Sequence, residues 1–152
     1  MNVPSLQEIL PHSPPMILLS GYDPDSYDGS GISAFVDVSP ANPFFAHERQ
    51  GIPALVAPEF LAQTIGCFGG YRDWINGRKA AVGFLLGSRN FQLSTDFLPV
   101  GARYLTRCSL LFTEGDLSSF QTSMADASTG AVVAEGILNV YQPADPSALP
   151  QP

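Results

Sequence analysis

Glu59 and His47 are the residues of this chain whose types and positions suggest acid–base chemistry. Glu59 lies early in the stretch 53–68, which is apolar on nearly every face and long enough for a helix. Such a helix is typical of a buried element, and burying a carboxylate without a partner is energetically costly. Gln63, one helical turn later on the same face, is predicted to orient Glu59. Alternatively, Glu59 caps the helix or points into solvent near its end.

Length and composition predict one domain over residues 1–142, followed by a disordered Pro-rich tail over residues 143–152. No apolar run reaches the length of a membrane span, and the first residues lack a secretory signal. Cys67 and Cys108 lie in apolar segments without metal-ligand spacing, so they are expected to be small core residues in a reducing compartment. We therefore expect a cytoplasmic protein with no metal site or cofactor.

The net charge of −7 argues against nucleic acid as a partner. All seven basic residues lie between Arg49 and Arg107, and only three of the 14 acidic residues lie there. This distribution predicts either a local positive patch for a phosphorylated or anionic partner, or scattered solvated charges.

The order of the predicted elements indicates an α+β protein in which an antiparallel sheet wraps around one long, central, buried helix. A short helix with a Ser5 cap is followed by an apolar strand and then by a Gly- and Asp-rich turn over Gly21–Gly31. The long helix is expected to begin near Ala54 or Leu55 and to end at Asn76-Gly77. The predicted strands are Met16–Ser20, Ile32–Val38, Ala80–Leu86, Asn90–Ser94, Ala102–Phe112, Ser118–Asp126 and Ala131–Tyr141.

Three motifs resemble those of the hotdog-fold 3-hydroxyacyl-[acyl-carrier-protein] dehydratases. The opening Leu-Pro-His-Ser-Pro-Pro-Met-Ile-Leu-Leu (10–19) resembles the first family motif. The Pro-Ala pair that precedes Glu-Phe-Leu-Ala-Gln (59–63) resembles the helix motif, and residues 91–101 resemble a strand and turn. The Gly-Phe-Leu-Leu-Gly run (83–87) is similar to the branch from aryl-polyene pathways. The resemblance covers nearly the whole chain except the tail.

The resemblance implies dehydration of a 3-hydroxyacyl thioester to the trans-2-enoyl thioester, in fatty-acid or aryl-polyene-type synthesis. It implies His47 as the base and Glu59 as the acid, with His12 as a second candidate for the base. Imidazole and carboxyl groups suit these two roles. An acyl thioesterase that uses the helix carboxylate, and a non-catalytic or partner-dependent hotdog subunit, are the alternatives.

The same resemblance implies an acyl carrier protein as the partner and a dimer, either of identical chains or with a paralogous hotdog subunit. Backbone N–H groups around Ala54 to Val56 are expected to polarise the thioester carbonyl. The residues expected to position the substrate are Gln63, Ala54, Leu55, Phe60 and Phe84. The residues expected to line its acyl tunnel are Phe60, Phe68, Phe84 and Leu86. The residues expected to bind the carrier are Arg78, Lys79 and Arg89.

Overall fold

The structure is a computed structural model that describes residues 3–10, 16–79 and 83–142. His12, the tail over 143–152 and the first three residues of the predicted strand Ala80–Leu86 lie outside these ranges. The helices are α1 (Leu6–Ile9) and α2 (Ala57–Ile75), with 3₁₀ turns at Pro24–Ser26 and Ala54–Val56. The strands are β1 (Gly21–Asp23), β2 (Gly31–Asp37), β3 (Gly51–Pro53), β4 (Phe84–Leu93), β5 (Phe97–Pro99), β6 (Arg103–Glu114), β7 (Leu117–Asp126) and β8 (Val132–Tyr141).

Six strands form one antiparallel sheet in the order β1-β2-β6-β7-β8-β4, and β3 pairs with β5 in a separate two-stranded ribbon. The three consecutive strands β6, β7 and β8 pair with one another as the sequence predicts. Gly115 and Gly130 adopt positive φ angles of 60° and 77° in the two connecting turns, where a side chain would be strained. These glycines therefore set the ends of the strands.

Helix α2 packs across β2, β6 and β7 and makes only a small contact with β8. Its side chains Phe60, Leu61 and Phe68 are almost completely buried in the core. The arrangement confirms the predicted α+β architecture. It also shows that α2 lies off the centre of the sheet, towards the β1 edge, because the contacts of α2 diminish from β2 to β8.

The short strands differ from the predicted ones. Strand β1 forms at residues predicted to be a turn, whereas Met16–Ser20 contains no strand. Gly21 lies opposite Phe35 in the register, and a Cβ atom on Gly21 would overlap the Phe35 ring. Strands β3 and β5 were not predicted, because a three-residue strand depends on its pairing partner more than on its own composition.

Strand β4 is one strand where the sequence predicts two. Residues 84–93 pair with β8, and the register shifts between Leu85 and Gly87 and again between Arg89 and Gln92. Asn90 adopts a positive φ of 53°, so the second irregularity is a bulge rather than the end of a strand. The other side of β4 is the free edge of the sheet, and Phe84, Leu85 and Leu86 are exposed there.

Both cysteines are free thiols buried in the core, as predicted. Desolvation raises the pKa of the Cys108 thiol to about 12, and burial also raises the pKa of the Cys67 thiol. Both thiols therefore stay protonated at neutral pH and act as small apolar side chains.

The short helix α1 begins with the predicted capping box between Ser5 and Glu8. It packs against α2 so closely that a Cβ atom on Gly70 would overlap the backbone carbonyl of Ile9. On Gly69, the preceding residue, the contacts that a Cβ atom would make with the described residues are ordinary van der Waals contacts, from Arg72 and Gln142. Gly70 is therefore required by the packing of α1, and Gly69 is not.

We expect Gly70→Ala to lower the free energy of unfolding by about 1–3 kcal/mol, because α1 must move away from α2. Gly69→Ala is the matched control and is expected to gain up to about 1 kcal/mol from the better helix propensity of alanine. Urea unfolding of both variants measures the difference. Equal stability of the two variants would contradict this account of the α1 contact.

Candidate active site

An apolar groove runs along α2 on the side that faces β8 and β4. Its volume is about 240 Å³, and its walls come from the segment before β1, from α2 and from the ends of β4 and β8. Glu59 and Gln63 are the polar side chains that α2 contributes. The remaining lining residues are Met16, Leu18, Phe44, Ala62, Ile65, Gly66, Gly69, Gly70, Gly83, Phe84, Leu85, Val140 and Gln142.

Glu59 lines the groove but is exposed to solvent in the single chain. The expectation that the helix would bury it is therefore wrong for the isolated chain, because its face of α2 looks towards the uncovered half of the sheet. Glu59 also does not cap the helix, since no side chain caps the start of α2. Within the described residues, its carboxylate makes no hydrogen bond or ion pair, so it is available to a ligand or a second subunit.

Gln63 is buried and holds the segment that forms the opposite wall of the groove. Its Oε1 accepts a hydrogen bond of 2.8 Å from the Leu18 N–H, and its Nε2 donates one of 2.5 Å to the Met16 carbonyl. The prediction that Gln63 orients Glu59 is wrong, because both ends of the amide are bound to this backbone. Gln63 instead fixes the irregular segment 16–18 against α2.

His47 is exposed in a tight loop between Ala46 and Gly51, which form an isolated β-bridge. Gln50 adopts a positive φ of 56°, and its side-chain Nε2 donates a hydrogen bond of 2.7 Å to the His47 carbonyl. The imidazole packs against the buried Phe45 ring, with centroids 5.0 Å apart. The loop therefore gives His47 a defined position on the surface.

The loop is also tied to the neighbouring ribbon through Arg49. The Arg49 guanidinium lies 4.1 Å from the centre of the Phe97 ring and 3.9 Å from the Asp96 carboxylate. His47 is not among the residues that line the groove. Within one chain, the described residues provide no contact between His47 and Glu59. The two side chains of a single chain therefore do not form one catalytic pair.

The backbone at the start of the helix offers fewer free N–H groups than predicted. The Ala54 N–H donates to the Asp96 carbonyl over 3.0 Å, so Ala54 cannot also polarise a thioester. Ala54 is buried, whereas Leu55 is 75% exposed. The Leu55 N–H belongs to the first turn of a 3₁₀ helix, where N–H groups have no partner inside the helix. It remains the candidate donor.

The four aromatic and aliphatic residues expected to form one tunnel lie in different places. Phe60 is a core residue with no exposed surface, and Phe68 is almost completely buried beside Phe120. Phe84 lines the groove, as predicted. Leu86 lies in a shallow depression together with Leu111 and Phe112. The prediction of a single tunnel lined by all four is therefore wrong. Phe60 and Phe68 belong to the core, and the register shift between Leu85 and Gly87 interrupts the alternation of β4, so that Leu86 leaves the side of the sheet that Phe84 lines.

The predicted carrier-binding bases also lie in two places. Arg78 and Lys79 follow the end of α2, where Arg78 lies 3.6 Å from the carboxylate of the buried Asp73. Arg89 is opposite Ile137 in the register, beside the shallow depression. Ile137 precedes the fully buried Leu138, so Arg89 lies on the sheet face that points away from α2.

Sequence reasoning missed the segment 16–18, Gln142 and the glycines of α2 as parts of the groove. Gln142 follows the last strand, and Gln63 binds a backbone 45 residues earlier in the chain. Neither relation has a local signal in the sequence. The small residues at 62, 66, 69 and 70 do recur at helical spacing, and that pattern could have indicated a shallow face of α2.

Neither a metal centre nor a membrane span was found in the part of the chain that the structure describes. No group of three or more His, Cys, Asp or Glu side chains is arranged to hold a metal ion there. None of the helices in those ranges is long and apolar enough to cross a membrane.

Comparison with known proteins gives one family. The model of the ApeP-like family, described as ApeP dehydratase, matches residues 4–151. No curated protein sequence matches the chain significantly. Among solved structures, the chain is similar to the dehydratase heterocomplex ApeI:P from Xenorhabdus doucetiae, with 26% identity and a TM-score of 0.85. That match covers 95% of this chain and 94% of the other.

More distant likenesses concern the fold alone. A hypothetical thioesterase with coenzyme A from Streptococcus pneumoniae is 7% identical, with a TM-score of 0.61 over 82% of this chain and 88% of that chain. Zebrafish thioesterase superfamily member 2 is 11% identical, with a TM-score of 0.59 over 80% and 79%. Together with the heterocomplex, these likenesses confirm the predicted hotdog fold.

The Gln63 contacts lead to a prediction for stability. Gln63→Met keeps the shape of the side chain but leaves the Leu18 N–H and the Met16 carbonyl without partners, so we expect a loss of about 1–3 kcal/mol in the free energy of unfolding. Gln7→Met on the exposed face of α1 is the control, expected to stay within about 0.5 kcal/mol of the parent. Denaturant unfolding measures both, and similar values would contradict the role assigned to Gln63.

Proposed function

Because the chain belongs to the ApeP-like family of dehydratases, we propose a specific form of the reaction and of its catalytic site. The family match and the likeness to the ApeI:P heterocomplex confirm the predicted 3-hydroxyacyl thioester dehydratase of aryl polyene synthesis. The proposal adds the carrier, the catalytic residues and the partner. The observation that carries it is the apolar groove with Glu59 at its rim, open towards the free edge of β4.

In the proposed reaction, the acyl thioester lies in the groove with its third carbon beside Glu59. A histidine imidazole removes a proton from the second carbon, and that electron pair becomes the carbon–carbon double bond. The bond from the third carbon to its hydroxyl breaks, and the carboxylic acid of Glu59 supplies the proton that turns the hydroxyl into water. The imidazolium then returns its proton to the carboxylate, which restores both groups.

His47 is the proposed base, and it acts across a subunit boundary. His47 and Glu59 are both exposed and have no mutual contact in one chain. A second subunit placed against β4 would cover the open side of the groove, so that the corresponding loop of the partner faces Glu59 and His47 faces the partner's groove. This arrangement accounts for a polar pair left exposed beside an apolar groove. The exposed Leu55 N–H is the proposed donor to the thioester carbonyl, whose oxygen becomes negative as the proton leaves.

The proposed partner is a paralogous hotdog subunit, and a second copy of this chain is the alternative. The similar ApeI:P structure is a heterocomplex. The free edge of β4 exposes Phe84, Leu85 and Leu86 beside unpaired backbone groups. An exposed apolar edge strand is a surface on which another strand can pair. Continuation of the sheet across β4 would bury these side chains.

An acyl carrier protein is the proposed source of the substrate. Arg89 lies on β4, the strand at the proposed subunit boundary, and Arg78 and Lys79 follow the end of α2. Basic side chains suit a phosphopantetheine phosphate and an acidic carrier. The proposal places the reaction in the cytoplasm, in keeping with two buried free thiols.

Replacing Glu59 or His47 tests the chemistry. In the complex of this chain with its hotdog partner, we expect Glu59→Gln and His47→Ala each to lower kcat about 10²–10⁴-fold at the site to which the residue belongs, because each removes one proton-transfer group from that site. Mass spectrometry of a 3-hydroxyacyl carrier thioester measures the loss of one water. Glu48→Gln, an exposed carboxylate next to His47, is the control and is expected to keep its activity.

The pattern of loss separates the alternatives. Loss in Glu59→Gln with activity retained in His47→Ala would move the base to another residue, His12 first. Full activity in both variants would identify the chain as a non-catalytic subunit. Release of free acid in place of the enoyl thioester would indicate a thioesterase.

A charge on the free edge tests the subunit boundary. Leu86 is 60% exposed on β4, and we expect Leu86→Glu to abolish association with the partner, because pairing would bury an unpaired charge. Leu105→Glu is the matched control: Leu105 is 50% exposed on β6, which β7 and β8 separate from β4, and it lies outside the depression that contains Leu86. Size-exclusion chromatography with light scattering measures the assembly. An intact complex of Leu86→Glu would contradict pairing through β4.

A further inference from the structure

Gly69 is the glycine of α2 that the packing of the chain does not explain. A Cβ atom on Gly70 would overlap the Ile9 carbonyl, and one on Gly66 would lie 2.9 Å from a Leu10 methyl group. On Gly69 the nearest atoms of the described residues are 3.9 Å away on Arg72 and 4.0 Å away on Gln142. Its φ angle is not positive, so alanine would fit and would favour the helix. Packing against residues 3–10, 16–79 and 83–142 therefore does not account for the absence of a side chain there.

Gly69 lies where the groove meets a second, smaller cavity. The groove and this cavity of about 30 Å³ share Ile65, Gly69, Val140 and Gln142 as lining residues. The small cavity continues under α2 to Phe68 and Phe120, with Arg72 and Ser118 at its wall. A side chain at position 69 would stand between the two spaces.

The position of Gly69 along the helix gives the distance from the reacting centre. Glu59 and Gly69 are ten residues apart on α2, which corresponds to roughly 15 Å along the axis at about 1.5 Å per residue. Both line the same groove, and the wall between them consists of Ala62, Ile65 and Gly66 together with Gln63, whose amide is bound to the Leu18 and Met16 backbone. The groove therefore offers an extended acyl chain a narrow apolar path that starts at Glu59 and reaches Gly69.

We propose that Gly69 determines the acyl-chain length that the enzyme accepts, by keeping the far end of the groove open to a long, extended chain. This inference rests on the proposed function, in which the acyl group occupies the groove. A short substrate would end before reaching Gly69, whereas a long one would pass beside it. Gly69 is thus a specificity-determining residue with no part in the proton transfers.

The test compares Gly69→Leu with Gly69→Ala in the complex with the hotdog partner. Two thioesters are used, 3-hydroxybutyryl and 3-hydroxyhexadecanoyl, on the same carrier, because only the second is long enough to extend from Glu59 to Gly69. We expect Gly69→Leu to lower kcat/KM for the long substrate about tenfold or more and to change the short one less than about twofold, because the added side chain blocks only the far end. Gly69→Ala adds one methyl group in open space and is expected to have a much smaller effect on the long substrate.

Other outcomes would overturn the proposal. An equal loss of kcat/KM on both substrates would mean that Gly69→Leu damages the enzyme in general. No loss on either substrate would mean that the acyl chain does not reach Gly69. A loss of the partner from Gly69→Leu in light scattering would mean that the glycine serves the subunit contact instead.

A wild type that dehydrates neither substrate would count against the proposed function. Binding of the acyl chain in the groove would then be tested by a second measurement. Calorimetric binding of 3-hydroxyhexadecanoyl-coenzyme A should then be about tenfold or more weaker for Gly69→Leu than for the wild type. Equal affinities would overturn the role of Gly69.

Discussion

The off-centre position of α2 on the sheet is the constraint on which the rest of the structure depends. Phe60, Leu61 and Phe68 bury their side chains against β2, β6 and β7, and this packing supplies most of the core around the helix. The inner face of β8 and the start of β4 are left with less cover. The groove is the space that results, and it exists because one helix is too narrow to cover a six-stranded sheet.

That constraint decides which helix residues can serve chemistry. The side of α2 that faces β2 and β6 carries large apolar residues, and the side that faces the groove carries Glu59, Gln63 and small residues. Gln63 then fixes the segment 16–18, which contains no regular secondary structure, through two hydrogen bonds. Rigid support of this kind suits a site whose ligand must be held in one orientation.

Much of this could be predicted from the sequence where the signal is local. Strands β6, β7 and β8, the capping box of α1 and the long helix follow from alternation, turn residues and caps. The failures concern relations between distant residues: the Gln63 contact to Leu18, the Ala54 contact to Asp96, and the face of α2 that Glu59 occupies. The sequence composition alone cannot predict these contacts, because they depend on where a helix lies relative to a sheet.

The bulge at Asn90 limits how far the free edge of β4 can be extended. Beyond Arg89, the register shift and the left-handed Asn90 increase the local twist, and Phe91 turns inward to cover Gly136. Together with the first shift, between Leu85 and Gly87, this leaves only short runs of regular strand geometry in β4. A newly made chain therefore presents only a short template for strand addition, which favours one discrete neighbour over the open-ended stacking of sheets that leads to fibres.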